Sequence, residues 1–597
     1  MELGRTVSVL LPLAVDGPYT YKVPAGLDLA PGDVVRVPLG PREMIGAVWD
    51  DPVDPSVGHN RLRAVLHRYD SPPLDATLRR FVDWVASYTL TQRGMVLRMV
   101  LRAPDALEPP RAVPALRLTG KMPDRLTAAR QRVLDALAGG APMPRSAVAG
   151  FAAVSSSVVG GLVEQGVLEL VELPPPALTE PPEPDHARPT FDPGQADAAA
   201  ILREAVDANA FSVSLIDGVT GSGKTEVYFE AVAETLRLGK QALVLLPEIA
   251  LTGDFLDRFA RRFGHRPAEW HSEMQPRARE RVWRGVATGE VQAVVGARSA
   301  LFLPFAKLGL VIVDEEHDTA YKQEEGVIYN ARDMAVVRGH LGAFPVVLAS
   351  ATPSIESRVN ADQGRYRRIV LSARYAAAKL PEIVPVDLRI DPPQRGEFLA
   401  PSLIAAMGET IGNKGQALLF LNRRGYAPLT LCRSCGHRFQ CPNCSTWLVD
   451  HRFRGQLVCH HCGHHEHRPD RCPVCDAEDS LVACGPGVER VAEEVAKHFP
   501  DARRTILSSD LLGGVKRMRQ ELDTIRDGGA DIIIGTQLVA KGHNFPLLAL
   551  VGVVDADLGL AHGDPRAAER TFQLLAQVTG RAGRAGGDSR ALLQTYA

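Results

Sequence analysis

Outside one short stretch the chain has no cysteine: all nine fall between Cys432 and Cys484 of its 597 residues. Disulfides of a secreted protein spread over its domains, whereas metal ligands cluster, so this distribution argues against an extracellular scaffold and for a metal module. Long apolar runs are missing as well. None approaches the ~20 residues needed to cross a bilayer, and Met1 to Pro12 lacks the basic segment, apolar core and cleavage site of an export signal. The chain therefore reads as cytoplasmic, with no membrane partner. Neither sign of charge is in excess, since 68 Lys and Arg against 70 Asp and Glu leave a net charge of -2. That excludes a uniformly basic binder but not a groove that gathers basic residues. Hydrophobic residues at 45% and charged residues at 23% are ordinary globular proportions, and the length calls for about three to five domains.

Short alternating apolar runs open the chain, at Val7 to Leu11, Tyr19 to Val23, Val34 to Val37 and Ile45 to Trp49, broken by Gly and Pro. They predict a β-rich domain over 1–105, with a helical stretch from Leu78 to Leu90. Residues 106–175 predict a winged-helix module, with helix, turn, helix, turn and an apolar strand from Val167 to Val171; a three-helix connector fits the same pattern. Prolines 174, 175, 176, 181, 182, 184 and 189 mark an extended linker over 176–190. Beyond it, apolar runs at Ser212 to Ile216, Ala242 to Leu246, Ala293 to Val295, Leu310 to Val313 and Val346 to Ala349 alternate with helical segments. This is the pattern of a parallel sheet covered on both faces, here over 191–375. It resumes at Ala417 to Leu421, Ile532 to Ile534, Leu550 to Val554 and Ala591 to Tyr596. The fold class is multidomain α/β, with a second parallel-sheet domain over 376–430 and 485–597 and a cysteine-rich insertion over 431–484.

Gly218, Val219, Thr220, Gly221, Ser222, Gly223, Lys224 and Thr225 follow directly on a strand and open the helix Glu226 to Leu238. In that context the glycines let backbone N–H groups turn toward a phosphate at a helix N-terminus, Lys224 contacts the β and γ phosphates, and Thr225 ligates magnesium. The strand Val311 to Val313 ends on Asp314-Glu315-Glu316-His317. An acidic cluster after a strand is by itself more often a solvated loop. Downstream of a phosphate loop it supplies Asp314 to hold Mg2+ through water and Glu315 to polarise the water that attacks ATP.

Four Cys-x-x-Cys pairs follow one another: Cys432 and Cys435, Cys441 and Cys444, Cys459 and Cys462, Cys472 and Cys475. Eight thiolates make two closed, structural four-cysteine Zn2+ sites. Pairing neighbours would ask the five residues between Cys435 and Cys441 to reverse the chain around a metal. Nesting instead joins the two inner pairs across fourteen residues, near the spacing of a zinc ribbon, and leaves a cross-braced scheme as the alternative. His460, His461, His464, His465 and His467 are read as surface residues, and Cys484 as a small buried hydrophobe.

Taken in order, these motifs resemble the superfamily 2 helicases and, more closely, the PriA family of replication-restart DNA helicases. Phe191-Asp192-Pro193-Gly194-Gln195 looks like the segment whose glutamine reads adenine. Leu246 to Thr252 and Gly296 to Ala300 look like strand-contacting motifs, and Ser350-Ala351-Thr352-Pro353-Ser354 like the coupling motif. Asn422 to Tyr426, Gly535 to His543 and Gln577 to Arg584 match the second motor domain. The resemblance implies two RecA-like motor domains, nested zinc sites, and a 3'-to-5' DNA helicase that recognises forked and single-stranded DNA. It further implies a monomer that works with single-stranded DNA-binding protein and replicative helicase loading proteins to assemble a primosome. Arg581 and Arg584 stand where arginine fingers reach the γ-phosphate across the domains. A translocase or RNA helicase on the same motor, or a loader with a weak motor, are the competing readings.

Two departures from the family carry expectations. Its N-terminal domain binds a 3' end through a Phe-Asp-Tyr segment, where this chain has Tyr19-Thr20-Tyr21, so 3'-end preference is expected to be weak. Its aromatic-rich loop corresponds to Tyr321 to Asp333, which keeps only Tyr321 and Tyr329, so base stacking there is expected to be weak. Family members continue past the last strand with a further DNA-binding domain, while this chain stops at Ala597, as a shortened protein or a fragment would.

Overall fold

The computed structural model describes the chain except for residues 1–4, 56–60, 109–111, 174–177, 248–252, 375–379, 422–428, 433, 434, 436, 438, 445–447, 452–455, 460, 461, 479, 485–487, 508–514, 537–544, 562–564, 584–588 and 597. It forms two compact units. The first holds Met1–Pro181, Ser272–Gln292 and Phe302–Ala306, and the second holds Pro182–His271, Ala293–Leu301 and Lys307–Ala597.

In the first unit, period-two alternation turns Val7, Val9, Val35 and Val37 onto one buried face with Tyr21 and Val48. The result is an antiparallel sheet in the order Tyr19–Lys22, Thr6–Leu10, Arg42–Val48, Val34–Leu39, His67–Arg68. The helix Ala76–Thr89 follows, capped by the Asp75 carboxylate, which accepts from Leu78 N. Next comes a winged-helix arrangement. Three helices, Ala128–Leu137, Arg145–Phe151 and Ser156–Glu164, pack with strands Val113–Leu118, Met143–Pro144 and Leu168–Leu173. The winged-helix reading of the sequence places two helices here, with a three-helix connector as its alternative. The extra one is seven residues long, too short to display a helical period. The helix Pro276–Thr288 also belongs to this unit: Trp283 Nε1 donates to Val100 O at 2.8 Å, and Arg284 donates to the carbonyls of Asp70, Ala106, Leu107 and Glu108.

The second unit carries two parallel sheets. One has the order Ala268–Trp270, Ala293–Gly296, Gln241–Leu245, Leu308–Asp314, Val346–Ser350, Val213–Gly218, Arg367–Leu371. The other runs Glu382–Asp387, Arg590–Thr595, Leu548–Val553, Gln416–Phe420, Ile532–Gly535, Arg504–Leu507. Central strands such as Gln241–Leu245 and Gln416–Phe420 are buried at every position, as a sheet covered on both faces requires. Between Phe420 and Val488 a separate five-stranded antiparallel sheet carries the cysteine segment.

The proline-rich segment is not a free spacer along its whole length. From Pro182 it docks on the domain of the first parallel sheet, where Glu183 N donates to Phe263 O at 2.8 Å, Arg262 Nη1 to Pro184 O at 2.7 Å, and Arg237 pairs with Asp185. Arginines on two helices supply the donors that a run of prolines cannot.

Candidate active site and metal centres

The strand Val213–Gly218 delivers the chain into the phosphate loop, and the helix Lys224–Arg237 leaves it. Gly221 and Gly223 sit at φ +86° and +80°, in the region that side-chain-bearing residues avoid. At Gly223 a Cβ would also lie 2.4 Å from Gln195 Nε2, so the loop curls against Gln195 only because that atom is missing. Lys224 Nζ donates to the carbonyls of Gly218 and Val219 at 2.8 and 3.4 Å. The ammonium is thus held inside the loop's curve, where a phosphate can exchange for the carbonyls.

Gln195 lies in the first turn of the helix Pro193–Asp207 and is buried. Its Oε1 accepts from Asp192 N at 3.1 Å, and its Nε2 donates to Ser222 O at 3.0 Å. It is therefore a brace for the phosphate loop, a contact that its sequence motif did not reveal.

Asp314 ends the strand Leu308–Asp314 beside this loop. Two buried tyrosines surround it: Tyr228 OH donates to Asp314 Oδ2 at 2.9 Å, and Tyr321 OH donates to Asp314 O at 2.6 Å. Burial, and after it the Glu315 carboxylate, push the Asp314 carboxyl up to about 6. Thr225 also hydrogen-bonds Tyr228, so the two groups expected to hold magnesium meet through one phenol. The donor set suits a hard cation, because a carboxylate and a hydroxyl adjoin an anion-binding loop. Glu315 has φ +49°, a left-handed conformation costly for a residue with a side chain and frequent at functional sites.

His317 spans the site. Its Nδ1 lies 2.8 Å from Ser350 Oγ at the end of the strand Val346–Ser350, and its Nε2 lies 2.7 Å from Gln577 Nε2 on the helix Ala567–Thr579. With the Gln577 amide donating, Nε2 accepts and Nδ1–H donates. Behind it the fully buried Glu316 carboxylate accepts from Ser354 N, Ser354 Oγ and Ser357 Oγ at 2.6 to 3.0 Å and pairs with Arg332 at 3.3 Å. Glu356 on the next helix pairs with Arg566 of the second motor domain.

Lys224, Thr225, Asp314, Glu315, Gln577 and Arg581 line one cavity, joined by Arg258 from the helix Gly253–Phe263. Arg581 is buried, which pushes its guanidinium down to about 10 against the pull of Glu315. Arg584, the Asn422 to Tyr426 motif, and the segments 248–252 and 537–543 lie outside the described residues. Sequence reasoning missed Tyr228 and Arg258. Tyr228 stands four residues after Lys224 on the same helix face, a spacing that could have found it; nothing local marks Arg258. Tyr321 and Tyr329, the two aromatics of the segment Tyr321 to Asp333, are both buried, so neither presents a face to a base.

The eight paired cysteines form two groups, Cys432, Cys435, Cys472 and Cys475, and Cys441, Cys444, Cys459 and Cys462. This is the nested scheme, neither adjacent nor cross-braced. Sγ separations of 3.5 and 3.6 Å approach the edge of about 3.8 Å expected for a tetrahedron with Zn–S near 2.3 Å. Among the described residues no histidine joins either group. The side chain of Cys484 lies outside the described residues.

In the β-rich domain Thr20 Oγ1 accepts from Asp54 N at 3.1 Å, and Tyr21 OH donates to Pro38 O.

Two parallel-sheet domains that bring a phosphate loop, an acidic box and an arginine following the helix Ala567–Thr579 to one cavity have the arrangement of an ATP-driven motor. Comparison with known proteins narrows this. Residues 8–102 match the PriA 3' DNA-binding domain, 192–360 the DEAD/DEAH box helicase domain, and 441–466 the PriA DNA helicase Cys-rich region domain. The replication restart protein PriA of Rickettsia felis is 38% identical over 99% of this chain and 80% of its own length. That of Bacillus subtilis is 42% identical over 70% of this chain and 51% of its own. Among solved structures, RecG bound to a three-way DNA junction aligns with 69% of this chain and 43% of its own at 16% identity and a TM-score of 0.40. The chain belongs to the PriA family of replication restart helicases. It is an ATP-dependent DNA helicase with a 3' DNA-binding domain and two four-cysteine zinc-binding sites.

Proposed function

We propose that the protein moves 3' to 5' along one strand of a forked DNA, driven by ATP hydrolysis at the cavity between Lys224 and Arg581. Magnesium-bound ATP supplies the phosphoryl group whose transfer to water drives the cycle. Lys224 and the loop N–H groups from Gly218 to Thr225 neutralise phosphate charge. Asp314 and Thr225 hold the metal, while Glu315 orients the attacking water. Gln195 keeps the loop in shape and reads the base. Arg581, with Arg584, brings positive charge from the second motor domain, so that hydrolysis changes how the two domains close. The observation that supports this best is that residues of both motor domains, Asp314 and Glu315 from one and Gln577 and Arg581 from the other, line the same cavity.

The zinc-bearing insertion serves as a platform for single-stranded DNA-binding protein and helicase loading proteins, and the working form is a cytoplasmic monomer. Lys224→Ala is expected to abolish ATP hydrolysis while fork binding persists, because the phosphate loop and the strand-binding surface are separate. Unwinding of duplexes tailed at 3' or 5' ends tests the direction. Undiminished turnover in the Lys224 variant, or unwinding only from 5' tails, defeats the respective half of the proposal.

A further inference from the structure

Three residues past the edge strand Arg367–Leu371 of the first motor sheet stands Arg374, which no sequence motif singles out. The strand end is tied to the phosphate loop, since Val219 N donates to Leu371 O at 3.1 Å. The Arg374 side chain then crosses the loop tip, its Cγ lying 3.8 Å from where a Cβ on Gly221 would stand. Its guanidinium ends in the second motor domain: Nη1 donates to Ala582 O at 3.0 Å and Nη2 to Gly580 O at 2.7 Å. Those two carbonyls flank Arg581. The same turn also rests directly on the phosphate loop, because a Cβ on Gly580 would fall 2.8 Å from Thr220 Oγ1. Arg374 is 5% exposed.

Only a planar guanidinium offers two donors at the fixed spacing that bridges two carbonyls of one turn; an ammonium of similar reach is a point charge that satisfies one of them well. We propose that Arg374 is a positioning residue for ATP hydrolysis, a clamp from the first motor domain that holds the Gly580–Ala582 turn against the phosphate loop and thereby aims Arg581. The inference rests on Arg581 acting as an arginine finger. Arg374 touches no reacting atom, so it works entirely through the turn, and the energetic consequence of losing it is contained within the consequence of losing Arg581.

The test is a double-mutant cycle on the full chain with Arg374→Met, Arg581→Ala and the combination. Turnover is followed on single-stranded DNA, and binding with a fluorescent ATP analogue. Arg581→Ala is expected to lower kcat by about a thousandfold or more, as loss of an arginine finger does. Arg374→Met is expected to lower kcat by about ten- to a hundredfold, the scale of a catalytic group displaced by ~1 Å. Its KM and its affinity for the analogue should change little. The double variant should fall no lower than Arg581→Ala alone, because both changes remove one interaction. Losses that multiply, a raised KM at unchanged kcat, or wild-type turnover in Arg374→Met would each overturn the clamp. If Arg581→Ala itself turns over normally, the finger reading falls first and the clamp with it. Should Arg374→Met lose its fold, Arg374→Lys decides by the same cycle: it keeps the charge, and full activity in it would refute a two-carbonyl clamp.

Discussion

Asp314 is the residue proposed to hold magnesium in the first motor domain, and its surroundings work against its charge. Burial raises its pKa first and the adjacent Glu315 carboxylate raises it further, to about 6. The charged form is the one lost as pH falls, so magnesium-dependent binding of a non-hydrolysable ATP analogue should weaken below about pH 6, by roughly tenfold per pH unit once the carboxyl is mostly protonated. Glu315→Gln removes one of the two causes and should move that acidic limb to lower pH while abolishing turnover. A limb that stays in place in the variant would assign the whole shift to burial.

Much of this site was legible in the sequence. Lys224, Thr225, Asp314 and Glu315 lie on segments whose backbone must adopt a phosphate-binding loop or end a central strand, and such demands leave a pattern in residue type and spacing. Tyr228, Arg258 and Arg374 act through contacts with distant parts of the chain. The sequence neighbours of Arg258 and Arg374 carry no trace of that, whereas Tyr228 has a local cue in standing one helical turn after Lys224.

At the scale of elements, the Glu316 carboxylate fastens the acidic box to the start of the helix Ile355–Asp362 and to Arg332 on the helix Ala331–Gly342. Glu316→Ala would leave three hydroxyl and amide donors and a buried cation short of an acceptor. The expected cost is about 3 kcal/mol, at the low end for breaking a buried pair, because Arg332 keeps Asp333 at 2.7 Å. Faster amide hydrogen exchange over residues 350–357 is the readout, and unchanged protection there would show that the network is redundant.

The cysteine module makes an independent prediction. Because the inner and outer sites share no ligand, the Cys441→Ser, Cys444→Ser double variant should retain one zinc ion per chain and ATP hydrolysis on single strands. Metal analysis giving zero or two ions would contradict separable sites. Central strands were foreseen from their apolar runs, whereas the edge strands Glu382–Asp387, Arg367–Leu371 and Arg504–Leu507 were not. Those are partly exposed, and half-buried strands of four to six residues look like loops in composition.

On the scale of the whole molecule, a chain with a net charge of -2 binds a polyanion only through local basic surfaces. Fork affinity is then expected to fall steeply between low and physiological salt as phosphate contacts release counterions. A flat response would exclude a groove that tracks the backbone. Thr20 already accepts a backbone N–H from Asp54 and is no carboxylate, so little discrimination between a 3' hydroxyl and a 3' phosphate is expected at the arrested strand. A large preference would mean that another acidic side chain has taken over end recognition.

The chain passes between its two compact units five times, after Pro181, His271, Gln292, Leu301 and Ala306. The helix Pro276–Thr288, whose Trp283 and Arg284 are anchored on backbone carbonyls of the N-terminal part, is encoded in the middle of the first motor domain. A protease cut in the proline-rich stretch should therefore leave both fragments eluting as one species until denaturant is added. Inheritance is constrained in the same way: an N-terminal domain grafted from a relative brings carbonyls and an apolar surface shaped for that relative's own helix. Functional chimeras are thus expected only when residues 272–292 travel with the first 181.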